Sequence, residues 1–267
     1  MNLYNRMPGK EVVILGSGDI GLIMARRMTL EGAHVHAVFE LLPDANGLPR
    51  NIQQCLRDYD IPLYLNHTVT KIHGSKRLEG VTVSKVDEGL QPIPGTECYY
   101  PCDTLILSVG LIPENELSLD AGVSLDQRTK GAFVDEFFQT EVPGIFAAGN
   151  VLHVHDLVDF VSLEAEKLAE GVLRYVREEN LPEAKIDIVT DGKIGHTVPQ
   201  RISGKEDVHL SLRVNKVMEK VRIVVYQNHK VISEKKMKKV LPAEMIYMDI
   251  PCVNLDGNDR LEVCVEC

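Results

Sequence analysis

The sequence predicts an α/β fold that gives way to an all-β C-terminal domain, and three observations carry that expectation. A short apolar run, Glu11-Val12-Val13-Ile14-Leu15, ends in the turn Gly16-Ser17-Gly18-Asp19-Ile20-Gly21. A helical stretch and a second apolar run, residues 35–39, follow directly. After Pro182 the pattern changes to short alternating runs separated by turn residues.

The first run reads as a buried parallel strand, because it is continuously apolar and bounded by glycine. The helix is expected to reach about Glu31, with Ile20, Ile23, Met24 and Met28 on one face and Gly32 as its stop. The second strand ends at Glu40. This strand–helix–strand unit carries G-x-G-x-x-G in the register of a Rossmann-like dinucleotide-binding domain. Gly16 permits the tight turn, Gly18 lets a pyrophosphate approach the backbone, and Gly21 lets the helix pack on the strand. Asp19 and Ile20 open the helix, whose free N–H groups and dipole face the phosphates. Glu40 lies 19 residues beyond Gly21, where an acid should hold the adenosine ribose. Its charge would repel a 2′-phosphate, and no Arg or Lys follows until Arg50. NAD(H) is therefore the expected nucleotide.

Residues 51–59 read as a short helix and 61–65 as a strand. Residues 69–72, 80–86 and 97–100 alternate and are parted by turn-rich stretches, which suggests an antiparallel meander. The apolar run 104–109 returns to a buried strand and ends on Gly110.

The chain has 267 residues, 44% of them hydrophobic and 25% charged, values that exclude wholesale disorder. No apolar run approaches the roughly 20 residues of a membrane span, and no export signal is legible at the start, so a cytoplasmic protein is expected. Acid is concentrated in residues 1–185, whose net charge is −11, while residues 186–267 sum to +1. That balance argues against nucleic acid as a partner and marks a boundary near Lys185. Six cysteines do not make a disulfide scaffold in a chain of this size.

Two further motifs carry a resemblance. Leu111-Ile112-Pro113-Glu114-Asn115 follows Gly110, and Thr140-Glu141-Val142-Pro143-Gly144-Ile145-Phe146-Ala147-Ala148-Gly149-Asn150 lies downstream. Their order resembles the pyridine nucleotide-disulphide oxidoreductase family of two-dinucleotide flavoproteins. In that family the nicotinamide domain ends in glycine followed by a Pro-Asn pair, matched here by Gly110, Pro113 and Asn115, with Glu114 intervening. The second segment is similar to the family's second FAD motif, with Asn150 where an Asp normally meets the cofactor. Its apolar stretch would be a strand, and the helix expected over residues 157–177 would point its N-terminus at the flavin. The resemblance implies an NAD-binding domain over 8–115 and the C-terminal segment of an FAD-binding domain over 116–185, and the short alternating runs beyond them suggest a small β-sandwich-like domain over 186–267. The same resemblance implies NAD(H) and FAD as cofactors, with Gly16, Gly18, Asp19, Ile20, Gly21, Glu40, Gly110, Gly149 and Asn150 as cofactor-binding residues.

Members of that family begin with an FAD-binding half that has its own G-x-G-x-x-G. Only about fifteen residues precede Gly16 here, so the FAD site is expected to be incomplete in this chain. Self-association or a partner chain would then cover the helix face carrying Phe160, Val161, Leu168 and Val172. The expected activity is an NADH-dependent flavoprotein oxidoreductase, or a subunit of one, moving hydride between NAD(H) and FAD. The alternative is a non-catalytic NADH-binding regulatory or assembly subunit. His153 and His155 are candidate proton-handling residues beside the flavin motif, with Asp156 as a possible helix cap. No metal site is expected. Cys98 and Cys102, in a hairpin, and the pair Cys264 and Cys267 read as structural thiols, and the lysines of 235–239 read as a solvated strand face.

Overall fold

The computed structural model describes residues 3–177 and 181–266. The chain divides into two compact units, Met1–Gly110 and Leu111–Cys267. The three-part division expected from the sequence thus has its last two parts, 116–185 and 186–267, within one unit.

In the first unit the chain runs through β1 (Glu11–Leu15), α1 (Asp19–Leu30), β2 (His34–Phe39), α2 (Pro49–Cys55), a 3-10 turn (Arg57–Tyr59) and β3 (Leu63–Tyr64). The strands β4 (His67–His73), β5 (Gly80–Lys85), β6 (Cys98–Pro101) and β7 (Thr104–Leu107) complete it. A parallel sheet of order β3-β2-β1-β7 forms the centre. Side chains alternate across β1. Val12 and Ile14 pack on α1 residues Leu22, Ala25 and Met28, while Val13 faces Val81 and Val83 of the antiparallel sheet β4-β5-β6. Both faces of the parallel sheet are therefore covered, which explains why its strands read as unbroken apolar runs.

Helix α1 keeps the expected period with a shifted face. Gly21, Leu22, Ala25 and Met28 are buried, whereas Ile20 is 71% exposed and Ile23 is also largely exposed. The pivot is Gly21, whose close approach to Ser108 turns that side of the helix inward.

The second unit contains α3 (Glu116–Asp120), a 3-10 turn (Gly149–Val151) and α4 (Val158–Val176). Eight strands follow: β8 (Ile186–Thr190), β9 (Ile194–Val198), β10 (Arg201–Ile202), β11 (Val208–Val214), β12 (Met218–Gln227), β13 (Lys230–Val240), β14 (Ile246–Ile250) and β15 (Leu261–Glu266), with a 3-10 turn, Cys252–Asn254, before the last. They make a five-stranded sheet, β10-β8-β15-β12-β13, and a three-stranded sheet, β14-β11-β9. Both contribute to one core that includes Ile186, Ile194, Leu210, Ile223 and Val263. Residues 116–177 are fastened to this β structure. Val134 N–H donates to Gln200 Oε1 at 2.9 Å, Ser203 N–H donates to Glu136, and Val198 joins a core with Val134, Phe138 and Leu152.

Two local expectations change. The apolar stretch 145–148 forms no strand: it folds back across the Pro143-Gly144 turn onto residues 138–140 through a single bridge, Gln139 to Phe146, flanked by Thr140 N–H to Ile145 O and Ala147 N–H to Phe138 O. On α4, Phe160, Val161, Leu168 and Val172 are half-buried. Phe160 lies against Tyr247, with ring centroids 4.8 Å apart, and Leu168 packs on the Phe138 core. The exposed apolar residues of α4 are instead Val158, Leu163, Leu173 and Val176. Among the described residues, no helix is long and apolar enough to cross a membrane.

Candidate functional site

The glycine turn of the first unit is built around Ser108, the residue after β7. Gly16 has φ +95°, and a Cβ there would lie 2.1 Å from the Ser108 carbonyl oxygen. A Cβ at Gly21 would lie 2.6 Å from Ser108 Cβ, and Gly21 N–H donates to Ser108 Oγ at 3.0 Å. Gly18 is different: it is the N-cap of α1 with extended backbone, and its nearest neighbour would be Ser108 Oγ at 3.2 Å. The N-cap glycine has no side chain to cap α1, and of the first-turn amides Gly21 is already bonded to Ser108 Oγ, so those of Asp19 and Ile20 are the ones an incoming anion would meet. The turn fits a pyrophosphate.

The other predicted nucleotide residues have defined tasks. Asp19 Oδ1 accepts from Leu48 N–H at 2.8 Å and Asn51 Nδ2 at 2.7 Å, tying α1 to the start of α2. Ile20 points outward. Gly110 has φ +95° and open space around its Cα. Glu40 is only 4% exposed. Its Oε2 accepts from Ser17 N–H at 2.9 Å and Ser17 Oγ at 2.5 Å, while Oε1 accepts from Leu42 N–H at 2.9 Å. Glu40 therefore fastens the turn, and a ribose hydroxyl reaching it would share or displace those donors.

In the second unit, Asn115 braces the approach to the second motif. Its Nδ2 donates to Lys130 O at 2.9 Å and Val151 O at 2.8 Å. Thr140 N–H donates to Ile145 O at 2.8 Å and closes the Pro-Gly turn. Gly149 has φ +71°, and its N–H donates to Glu164 Oε1 at 2.5 Å, so that amide is committed within the protein. Asn150 is exposed. Its Oδ1 accepts from His155 N–H at 3.1 Å, which leaves its amide hydrogens as donors. No side chain caps α4. The Asn150 amide and the α4 N-terminus both suit a cofactor edge that presents oxygen atoms.

The candidate histidines meet on Glu164. His153 Nε2 lies 2.6 Å from Glu164 Oε2 and His155 Nε2 lies 3.1 Å from Oε1, with side chains 1%, 2% and 7% exposed in the order His153, His155, Glu164. Burial alone would raise the Glu164 pKa, but hydrogen bonds from both histidines outweigh it and hold the carboxyl at about 2. The His196 ring stands edge-on to His153 with centroids 6.0 Å apart. Burial, with a smaller contribution from His153, pushes its pKa down to about 4. His155 and Glu164 also line a cavity of about 590 Å³ together with Phe137, Phe160 and Tyr247.

Asp156 is not the helix cap. The N-cap is Leu157, and Asp156 instead pairs with Arg213 and accepts from Met245 N–H at 2.8 Å. Arg213 on β11 and the amide just before β14 outcompete a local cap. Cys98 is exposed and Cys102 buried, both free thiols; Cys264 is a half-buried thiol on β15, and Cys267 lies outside the described residues. In the lysine run on β13, Lys235 Nζ donates to Tyr247 O at 2.8 Å.

Sequence reasoning missed Ser108, Glu164 and His196. Ser108 directly precedes Val109-Gly110, and the need of a glycine turn for a close neighbour was a usable signal. Glu164 is an acid on a helix rich in exposed acids, and nothing in its spacing sets it apart. His196 lies in a strand the sequence pattern did not yield.

Residues 2–170 match the family model described as pyridine nucleotide-disulphide oxidoreductase. The chain is 33% identical over 170 residues to the mitochondrial dihydrolipoyl dehydrogenase of Caenorhabditis elegans, covering 61% of this chain and 33% of that protein. It is 26% identical over 190 residues to the glutamate synthase (NADPH) small chain of Escherichia coli K12, covering 64% and 39%. Among solved structures, T. acidophilum thioredoxin reductase superposes with a TM-score of 0.55 at 29% identity, covering 64% of this chain and 53% of that one. The chain thus spans between a third and two-fifths of the length of these curated relatives.

Proposed function

Since this chain belongs to the pyridine nucleotide-disulphide oxidoreductase family, whose members bind FAD and NAD(P)H, we propose that it serves an NADH-dependent flavoprotein oxidoreductase. The single observation that carries this reading is the α1 N-terminus, which Gly18 opens to phosphate and where the N-cap residue offers no side chain to compete for the Asp19 and Ile20 amides. When bound, NAD(H) and FAD supply the two ends of a hydride transfer.

The residues of this chain bind and orient. First-turn amides of α1 hold the pyrophosphate, and Ser108 keeps Gly16 and Gly21 in the geometry that aims them. The buried negative charge of Glu40 disfavours a 2′-phosphate, which supports a preference for NADH. Asn150 and the α4 N-terminus bind the FAD edge, and His153 and His155 hold protons close to that motif. Residues 8–115, 116–185 and 186–267 then act as a nucleotide part, a flavin segment and a docking part. One relative is by name a small chain, which supports a partner chain or a second copy over the exposed apolar residues of α4.

Calorimetric titration with NADH and NADPH tests the nucleotide assignment. Tighter binding of NADH is expected, and failure to bind either nucleotide would refute it. Turnover with added FAD and a dye acceptor, run beside sedimentation, tests the flavin step. Nucleotide binding without flavin-dependent turnover in any assembly state would favour a regulatory or assembly subunit.

A further inference from the structure

We propose that His153, His155 and Glu164 form a binding site for a divalent transition-metal cation, independent of the nucleotide site. The three offer two imidazole nitrogens and a carboxylate whose ligand atoms all lie within 4.8 Å of one another. A tetrahedral ion with bonds of roughly 2.0–2.2 Å spaces its ligand atoms about 3.3–3.6 Å apart. The observed separations of 2.6 and 3.1 Å need to open by less than about 1 Å to admit one. Two imidazoles and one carboxylate suit zinc, cobalt or ferrous iron rather than calcium or magnesium.

Local structure brings these ligands together. His153 and His155 lie in the loop between the 3-10 turn Gly149–Val151 and α4, which brings both Nε2 atoms onto Glu164. Glu164 lies in the second turn of α4. The amide of Gly149 orients its carboxylate from behind, as an outer hydrogen bond does for a ligating acid.

Hydrogen bonding within the protein leaves a residue unaccounted for. Among the described residues, His153 Nδ1, His155 Nδ1 and His196 Nε2 are buried without a partner. An ion held through the two Nε2 atoms would leave both Nδ1 atoms to ordered water, so the case for the ion rests on the spacing of the Nε2 and carboxylate atoms. Three protein ligands leave one tetrahedral position open. His155 and Glu164 line a cavity of about 590 Å³, through which water or a small oxygen ligand can reach the site.

The test uses the full chain without an affinity tag, stripped with chelator and titrated calorimetrically with Zn²⁺. One equivalent is expected to bind, with at least 30-fold weaker binding in Glu164→Gln and in His155→Asn. The exposed set Glu11, His34 and His36 is the internal control: the double variant His34→Gln, His36→Gln should leave that equivalent in place. An equivalent that persists in both site variants, or a wild-type chain that takes none, overturns the proposal. If both site variants fail to fold, X-ray absorption on the Co²⁺-loaded His34→Gln, His36→Gln chain decides, because that chain lacks the exposed set. Imidazole nitrogen and carboxylate oxygen around cobalt support the site, and sulfur neighbours overturn it.

Discussion

A methyl group at Gly18 would come no closer than 3.2 Å to a hydroxyl, whereas at Gly21 it would sit 2.6 Å from a side-chain carbon. The two glycines should therefore fail differently. Gly18→Val is expected to keep a near-native melting temperature and lose NADH affinity at least tenfold. Gly21→Ala is expected to cost about 1–3 kcal/mol by overpacking, read as a lower denaturation midpoint. Glu40 serves stability as well as binding. Glu40→Gln places an amide where Ser17 N–H and Oγ donate, so it should cost roughly 1–3 kcal/mol as well as reduce the NADH preference. Asp135 gives a pH signature. Burial raises its pKa to about 6 from 3.8, against hydrogen bonds from Gln139 and Phe137 amides. The folded chain thus holds a proton that the unfolded chain has released, and the stability due to this group falls as pH rises from about 4 to 6. Asp135→Asn keeps the Oδ1 acceptor without the charge. It should raise the melting temperature at pH 7.5, by at most about 3 kcal/mol in stability, and leave it nearly unchanged at pH 4. An equal gain at both pH values would rule out the titration.

Helix α1 shows what the sequence could and could not tell. Its start, length and stop follow from Gly18, the apolar period and Gly32, but the face assigned to Ile20 and Ile23 is exposed. Two isoleucines outweigh a glycine on any hydropathy scale, yet Gly21 marks the side of closest approach. Leu22→Ala should cost about 2–5 kcal/mol, and Ile20→Ala within about 0.5 kcal/mol of nothing, as denaturant midpoints will show. The β1–α1–β2 unit was legible because each signal is local. The lysines of 235–239 do lie on a strand: β13 runs for 11 residues although Glu234 to Lys239 is nearly all charged. That strand is the edge of its sheet, where charge is tolerated on the open side. Strand β8 alternates only over Ile186-Asp187-Ile188 and β9 is interrupted by Gly195 and His196, so both are weak local signals, and long-range pairing with β15 and β11 supplies what propensity does not. The same holds for the His153–Glu164 cluster: the histidines stood out, and the acid that joins them became visible only when α4 was folded beside them.

At the scale of the molecule, the chain divides after Gly110, and the residues on either side of Lys185 belong to one compact unit. A fragment of residues 111–267 should therefore give dispersed amide NMR signals, while 186–267 alone should lose part of them. Its Gln200 and Ser203 contacts, and the core around Val198, are made with residues before 177. Equally dispersed spectra from both fragments would show that the β part needs no support. One of these long-range ties has a consequence for biosynthesis. Asp156, beside the histidine cluster, is held by Arg213 and by the amide of Met245, which follows it by 89 residues. At ordinary ribosomal rates Met245 is made roughly 4–18 s after Asp156. For that interval the nascent loop has no native anchor, and the neighbouring apolar helix face is open to trigger factor-like holdases. Slow codons between 156 and 245 would lengthen this vulnerable window, and the yield of native protein should fall accordingly.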